Sequence, residues 1–187
     1  IRPGQTSKPY KGLDQGRRIR FTMNDYDLTR HSISRLEYIT ANFYMWSGYT
    51  ISYGKESGSF SIIAIHPDYQ FIENNTVIEG RLINQLDLDG NRKVINLGKE
   101  VAKTLFKESS AVGKYVNINN VGFKVVGVYQ DIGDERQEQR AYIPITTLQS
   151  VFSGQNDIHS IVFTLKDVEA DESKAVEEKL MNTLARR

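Results

Sequence analysis

Residues 115–118 and 122–129 are two β-branched, aromatic-rich runs that meet across Asn119-Asn120, and this pairing constrains the chain more than any other stretch. Asparagine tolerates the left-handed backbone of a tight turn, so the two runs read as an antiparallel hairpin. A longer hairpin is expected upstream, from 37–53 and 60–65, turning over the Gly-bounded segment 54–58. His66-Pro67 ends it, because proline cannot donate to a strand ladder.

Helical patterns are interspersed among these strands. Residues 18–22 read as a strand leading into a short helix capped by Asn24 or Asp25, with Leu28, Ile33 and Leu36 as its apolar stripe. Residues 93–97 form a strand that Gly98 terminates. A helix over 99–107 follows, with Val101, Ala102, Leu105 and Phe106 on one face and Lys99, Glu100, Lys103 and Lys107 on the other. Residues 131–140 read as a polar, solvated loop, after which a strand at 141–143 stops at Pro144. Thr146 and Gln149 then stand at capping-box spacing for a short helix carrying Leu148, Val151 and Phe152. Residues 158–165 read as a strand, and Asp171 as the cap of a helix in which Val176, Leu180 and Leu184 recur every four residues. Helices scattered among hairpin-joined strands specify an α+β fold, not a doubly wound parallel sheet.

With 187 residues the chain can form one ordinary domain or two small subdomains, burying about 70% of its unfolded surface. Its 24 basic and 23 acidic residues leave a net charge of +1, which gives no reason to expect a basic nucleic-acid surface or a polybasic membrane patch. Without cysteine there is no disulfide framework and no thiolate chemistry. No stretch approaches the roughly 20 apolar residues needed to span a bilayer. Residues 1–16 lack apolar periodicity and read as a flexible lead-in. The opening Ile1-Arg2-Pro3, without an initiator methionine, and the close on Arg186-Arg187 at the end of a helical pattern read as the cut ends of a longer chain.

Each candidate for chemistry has a simpler structural reading. His31, His66 and His159 are far apart in sequence and belong to no metal or nucleophile motif, so they read as surface or core residues. Asp87-Leu88-Asp89-Gly90-Asn91 resembles the start of a calcium loop, but its glycine falls early and no closing glutamate follows, so it reads as a turn. Arg17-Arg18-Ile19-Arg20 reads as an edge strand with basic side chains in solvent. Phe43, Tyr44, Trp46, Tyr49 and Tyr53 either pack a half-buried hairpin or line a ligand groove, with packing favoured. Asp131, Asp134, Glu135 and Glu138 are acidic enough to gather a cation, but Arg136 and Arg140 are interleaved with them. That loop is retained as a partner-contact site at Asp134, Glu135, Arg136 and Glu138. No phosphate-binding loop, nucleophile elbow or zinc-protease pair is present, and no catalytic, cofactor-binding or metal-binding residue is assigned.

A longer arrangement unites these pieces. Ile78-Glu79-Gly80-Arg81-Leu82-Ile83 with Asp87 is followed by Val94-Ile95-Asn96-Leu97-Gly98, Val101-Ala102, Leu105-Phe106, Val112-Gly113-Lys114 and Phe123-Lys124-Val125-Val126-Gly127-Val128. In order and spacing this resembles the MacB-like periplasmic core domain of FtsX-like, MacB-type ABC-transporter permeases. Tyr142-Ile143-Pro144 and Thr147-Leu148-Gln149 continue the likeness, and Tyr10-Lys11-Gly12-Leu13, Tyr53-Gly54 and 65–69 extend it more loosely upstream.

The resemblance implies a domain with no catalytic site, made of a porter-like subdomain from both chain ends (17–73 plus 156–187) and an inserted, β-rich sabre-like subdomain (74–155). It implies a bacterial inner-membrane protein with this domain on the periplasmic side. A separate ATPase domain or subunit, a periplasmic adaptor or outer-membrane component, and a second permease are the implied partners. Lipoprotein-releasing and cell-division permeases, which bind a chaperone or a hydrolase regulator instead, are a sibling reading; a free-standing ligand-binding or sensor module is a more distant one.

Overall fold

A computed structural model describes residues 1–4, 20–45, 48–153 and 156–184. In chain order the elements are β1 (Phe21–Thr22), α1 (Met23–Ser32), β2 (Leu36–Met45), β3 (Ile51–Tyr53), β4 (Glu56–Gly58), β5 (Ser61–Ile65), α2 (Tyr69–Ile72), β6 (Asn75–Gly80), α3 (Gln85–Asp89), β7 (Val94–Gly98), α4 (Lys99–Phe106), β8 (Tyr115–Ile118) and β9 (Val121–Asp131). A 3-10 turn (Glu135–Gln139) follows, then β10 (Arg140–Pro144), α5 (Ile145–Leu148), a π-helical turn (Gln149–Ser153), β11 (Asp157–Ile158), β12 (Ser160–Leu165) and α6 (Ala170–Leu184). The fold is α+β, as the sequence pattern specifies.

The chain divides into two compact units, one formed by Ile1–Ala41 with Asn156–Arg187 and the other by Asn42–Gln155. Residues 42–73 therefore pack with 74–155.

In the first unit, β1 pairs antiparallel with β11, Phe21 opposite Ile158, and β12 neighbours β2. The cap of α1 is Thr22, two residues before Asn24 and three before Asp25, the expected caps. Asp25 sits at the third helical position and its Oδ2 accepts from Thr22 N at 2.7 Å, closing a capping box. The helix buries Asp25, Tyr26 and Thr29 rather than an apolar stripe starting at Leu28, while Ile33 is buried just beyond its end. Asp171 stands in the first turn of α6, which already begins at Ala170, and Leu180 is the buried member of the expected four-residue repeat. The Arg17-Arg18-Ile19 part of the basic run and most of the expected lead-in lie outside the described residues; Arg20 pairs with Asp157 at 3.3 Å.

The second unit is a mixed sheet in the order β5-β10-β7-β9-β8-β3-β4, with β6 alongside β9 and the end of β2 alongside β5. The β5/β10 and β7/β9 pairs are parallel and the others antiparallel. The β8/β9 hairpin turns at Asn119 and Asn120 with φ of 45° and 68°, pairing Ile118 with Val121. The expected long upstream hairpin is shorter and interrupted. Among the described residues, Phe43–Met45 alone pair with 62–64, and residues further on form a separate β3/β4 hairpin whose first strand joins β8. Such long-range pairing leaves no mark on local periodicity. α4 covers the sheet with Val101, Leu105 and Phe106, as its amphipathic pattern requires.

Several elements carry no local signal. α2 and α3 are a turn or so long, and β6 is a solvent-exposed edge, so neither period appears in the sequence. The expected capping box at Thr146 is absent. α5 starts directly after Pro144, and Thr146 Oγ1 donates instead to Leu88 O at 2.9 Å. The expected strand at 158–165 is split into β11 and β12. Among the described residues, no helix is long and apolar enough to cross a membrane.

Candidate interaction site

The segment carrying Asp134, Glu135, Arg136 and Glu138 is an ordered turn, not the solvated loop its polarity suggests. At the end of β9, Asp131 Oδ1 accepts from Gly133 N and Asp134 N at 2.8 and 2.9 Å, which reverses the chain. Asp134 then caps the 3-10 turn, its Oδ1 accepting from Arg136 N at 3.1 Å and from Arg136 Nε at 2.9 Å. The Arg136 hydrogen bonds hold the Asp134 carboxyl below the usual carboxylate range.

The opposite side of the turn faces inward, where Gln137 and Glu138 are both buried. Tyr129 and Tyr142 stack with ring centroids 4.6 Å apart beneath it, and Tyr69 meets Tyr142 edge-on at 5.1 Å. The Tyr129 hydroxyl lies 2.9 Å from Gln137 O and 3.1 Å from Arg140 O, so its single proton is shared between the two carbonyls. Gln137 Oε1 accepts from Arg140 Nη1 and Tyr142 OH, and its Nε2 donates to Glu73 at 3.2 Å. Burial raises the hydroxyl pKa of all three tyrosines, that of Tyr142 to about 12, so they act as neutral donors. Glu138 Oε1 accepts from Asp131 N at 3.4 Å, and its main chain packs against Gly98, where a Cβ would overlap the Glu138 carbonyl. Of the four candidate contact residues, Asp134, Glu135 and Arg136 face solvent; Glu138 is spent on the fold.

Beside this turn opens a cleft of about 630 Å³, with Ile72, Glu73, Asn74, Asp131, Ile132 and Asp134 in its walls. Burial pushes the Glu73 carboxyl above its ordinary value; Arg140 opposes this, and Asp131 and Asp134 add to it. Among the described residues no three His, Cys, Asp or Glu side chains are grouped to hold a metal ion.

The other candidates resolve into structure. The Asp87 carboxylate, first in the calcium-like run, has no solvent exposure and is gripped by Arg81 Nη1 and Nη2 at 2.6 and 3.0 Å. The run is the short helix α3, capped by Asn84, with its turn displaced to Gly90-Asn91. Tyr49 meets Phe152 edge-on at 5.7 Å and Tyr53 packs on Phe106 at 4.3 Å, so these aromatics are occupied by packing; Trp46 lies outside the described residues. His31 Nδ1 lies 2.7 Å from Asp27 O on exposed helix surface, and His66 is buried where β5 ends. Burial lowers the pKa of His159, against the pull of Asp157.

Sequence reasoning missed Asn96. Its buried side chain accepts from Ile83 N and donates to Arg81 O, both at 2.8 Å, tying the segment after β6 to β7. A lone polar residue inside an otherwise apolar strand, Val94-Ile95-Asn96-Leu97, was the available signal.

Comparison with known proteins agrees with this architecture. A protein called macrolide export ATP-binding/permease protein MacB from Campylobacter jejuni is 30% identical over 167 residues, covering 86% of this chain and 26% of its own length. One from Bdellovibrio bacteriovorus is 27% identical over 158 residues, 82% of this chain and 24% of that protein. The chain thus spans about a quarter of the curated relatives it matches. The crystal structure of the periplasmic region of MacB from Actinobacillus actinomycetemcomitans superposes with a TM-score of 0.79 at 24% identity, covering 96% of this chain and 82% of that one. The extracellular domain of the noncanonic ABC-type transporter YknZ from Gram-positive bacteria gives 0.72 at 22% identity, over 84% of this chain and 78% of that one. The model of the MacB-like periplasmic core domain matches residues 1–181, and the chain belongs to that family.

Proposed function

We propose that this chain is the periplasmic domain of an ABC-transporter permease in the bacterial inner membrane, and that it couples ATP hydrolysis by a separate domain or subunit to movement of substrate from the periplasmic side. Membership of the MacB-like periplasmic core domain family carries the reading. A feature of the fold supports it: residues 1–41 and 156–187 belong to one compact unit, so membrane helices joined to either end would act on a single body. In this scheme that unit is porter-like and transmits motion, while the inserted unit, Asn42–Gln155, is sabre-like and makes contacts. The inserted unit is then larger than the 74–155 expected from the sequence, because residues 42–73 pack within it.

The domain hydrolyses nothing in this reading. A second permease would pair with it in the membrane, and a periplasmic adaptor or outer-membrane component would approach the inserted unit at Asp134, Glu135 and Arg136. The test is the complete gene product. Apolar spans of about 20 residues should flank this domain, and an ATPase should co-purify or be fused to it. Charge reversal at Glu135 and Arg136 should release the periplasmic partner without lowering the melting temperature. Absence of flanking spans would overturn the permease reading, while co-purification of a lipoprotein chaperone or a murein-hydrolase regulator would move it to the sibling branch.

A further inference from the structure

β6 is the exposed edge of the second unit's sheet. It pairs with β9 on one side and has no other strand partner among the described residues. Natural edges are blunted by lysine, proline, covering loops or bulges. This one has a bulge between Val77 and Glu79 and no basic residue or proline. Its one charged residue, Glu79, accepts a hydrogen bond from Ser110 Oγ, and Thr76, Val77 and Ile78 are uncharged. Val77 and Ile78 are 40% and 46% exposed, so two adjacent apolar side chains stand in solvent along this edge.

The edge runs into the acidic cleft. Thr76 belongs to both, Asn75 is the register partner of Asp131, and Glu73 precedes the strand. Arg136 pairs with Asp134 and Arg140 partly offsets Glu73 from outside the cleft, but no lysine or arginine lines the cleft itself, so Glu73 and Asp131 leave it net acidic. Ile132, 81% exposed, forms an apolar wall beside these charges.

We infer that β6 takes an added strand: an extended segment of a partner protein, apolar at alternate positions, with a lysine or arginine at the end that enters the Glu73/Asp131 cleft. Main-chain hydrogen bonds to the open edge supply affinity, Val77 and Ile78 meet the alternate apolar side chains, and the acidic end sets polarity. A second copy of this chain fits less well. Antiparallel β6 pairing would bring each acidic cleft to the other copy's Gly80-Arg81 end, where Arg81 is already committed to Asp87. The inference does not depend on the transport reading, since it rests on an open edge and its charge.

The test uses the chain itself and fluorescein-labelled peptides of alternating valine and threonine ending in two lysines at the carboxyl end, the end that an antiparallel strand presents to the cleft. Binding should saturate in anisotropy, weaken with salt, and protect β6 amides from hydrogen exchange. A peptide ending in two glutamates should bind more weakly. The E73Q/D131N double variant, which keeps its hydrogen-bond acceptors, should lose about three- to tenfold in affinity for the lysine peptide and no longer discriminate between the two. Val77→Lys, at an exposed position, should stay folded by circular dichroism and lose binding. The inference is overturned if no peptide binds up to about 1 mM, if a proline-interrupted peptide binds equally well, or if the chain instead self-associates in a manner that Val77→Lys abolishes.

Discussion

Arg81 and Asp87 form a two-pronged ion pair in which the carboxylate is fully buried and the guanidinium remains 42% exposed. Asp87 also accepts from Asn84 N at 3.1 Å, and Arg92 Nη1 lies 3.5 Å away. Every acceptor direction of this acid is therefore used to hold α3 beneath the segment that follows β6.

Removing Arg81 leaves a buried charge with only Arg92 nearby. Arg81→Ala should lower unfolding stability by about 2 kcal/mol, below the usual cost of breaking a buried pair because one partner is partly solvated. Arg81→Lys should recover less than half, since an ammonium cannot reproduce the fork. Urea denaturation at pH 7 measures both.

The same pair makes a pH prediction. Burial would raise the Asp87 pKa, but hydrogen bonds from Arg81 and Asn84 and the charges of Arg81 and Arg92 hold it below the ordinary value. A depressed folded pKa stabilises the protein above the unfolded value of about 3.9 and is lost as pH falls through the folded one. The urea midpoint of the native chain should therefore drop below pH 4 more steeply than that of Asp87→Asn.

Glu73 behaves oppositely. Its folded pKa is raised, so stability is lost as pH rises from the unfolded value of about 4.3 through the folded one. Glu73→Gln, which still accepts from Gln137, should be slightly more stable than the native chain at pH 7 and equal to it near pH 4. Thermal melts across that range would show the gap closing, and a constant gap would contradict the assignment.

Two glycines are required by close backbone approach. A Cβ at Gly98 would overlap the Glu138 carbonyl, and one at Gly127 would overlap the Arg81 carbonyl. Alanine at either position should cost about 3 kcal/mol or prevent folding, because backbone cannot move aside as a flexible side chain can. Gly122→Ala is the control: its Cβ would find neighbours 3.8 and 4.0 Å away and should change stability little.

Lys107, after α4, adopts φ 55° and ψ −116°, a conformation suited to glycine. Lys107→Gly should stabilise the chain by about 1 kcal/mol even though it loses an exposed ion pair to Glu56. A lowered urea midpoint would show that the ion pair outweighs the strain.

Local chemistry alone determined a good deal. The Asn119-Asn120 turn, the amphipathic face of α4, the proline that ends β10 and the α+β character follow from residue types and their spacing, which act over a few residues. The family likeness was legible for the same reason, in motifs whose glycines and apolar positions keep a fixed order. Tertiary structure decided the rest. The 134–138 segment looks solvated by composition, and only its position above Tyr129 and against Gly98 turns Gln137 and Glu138 inward. Asp87 reads as part of a turn until Arg81, six residues earlier, is brought onto it. Asn96 and the open edge of β6 have no period at all, because their roles depend on which strand lies beside them, and strand pairing is settled by contacts far apart in sequence.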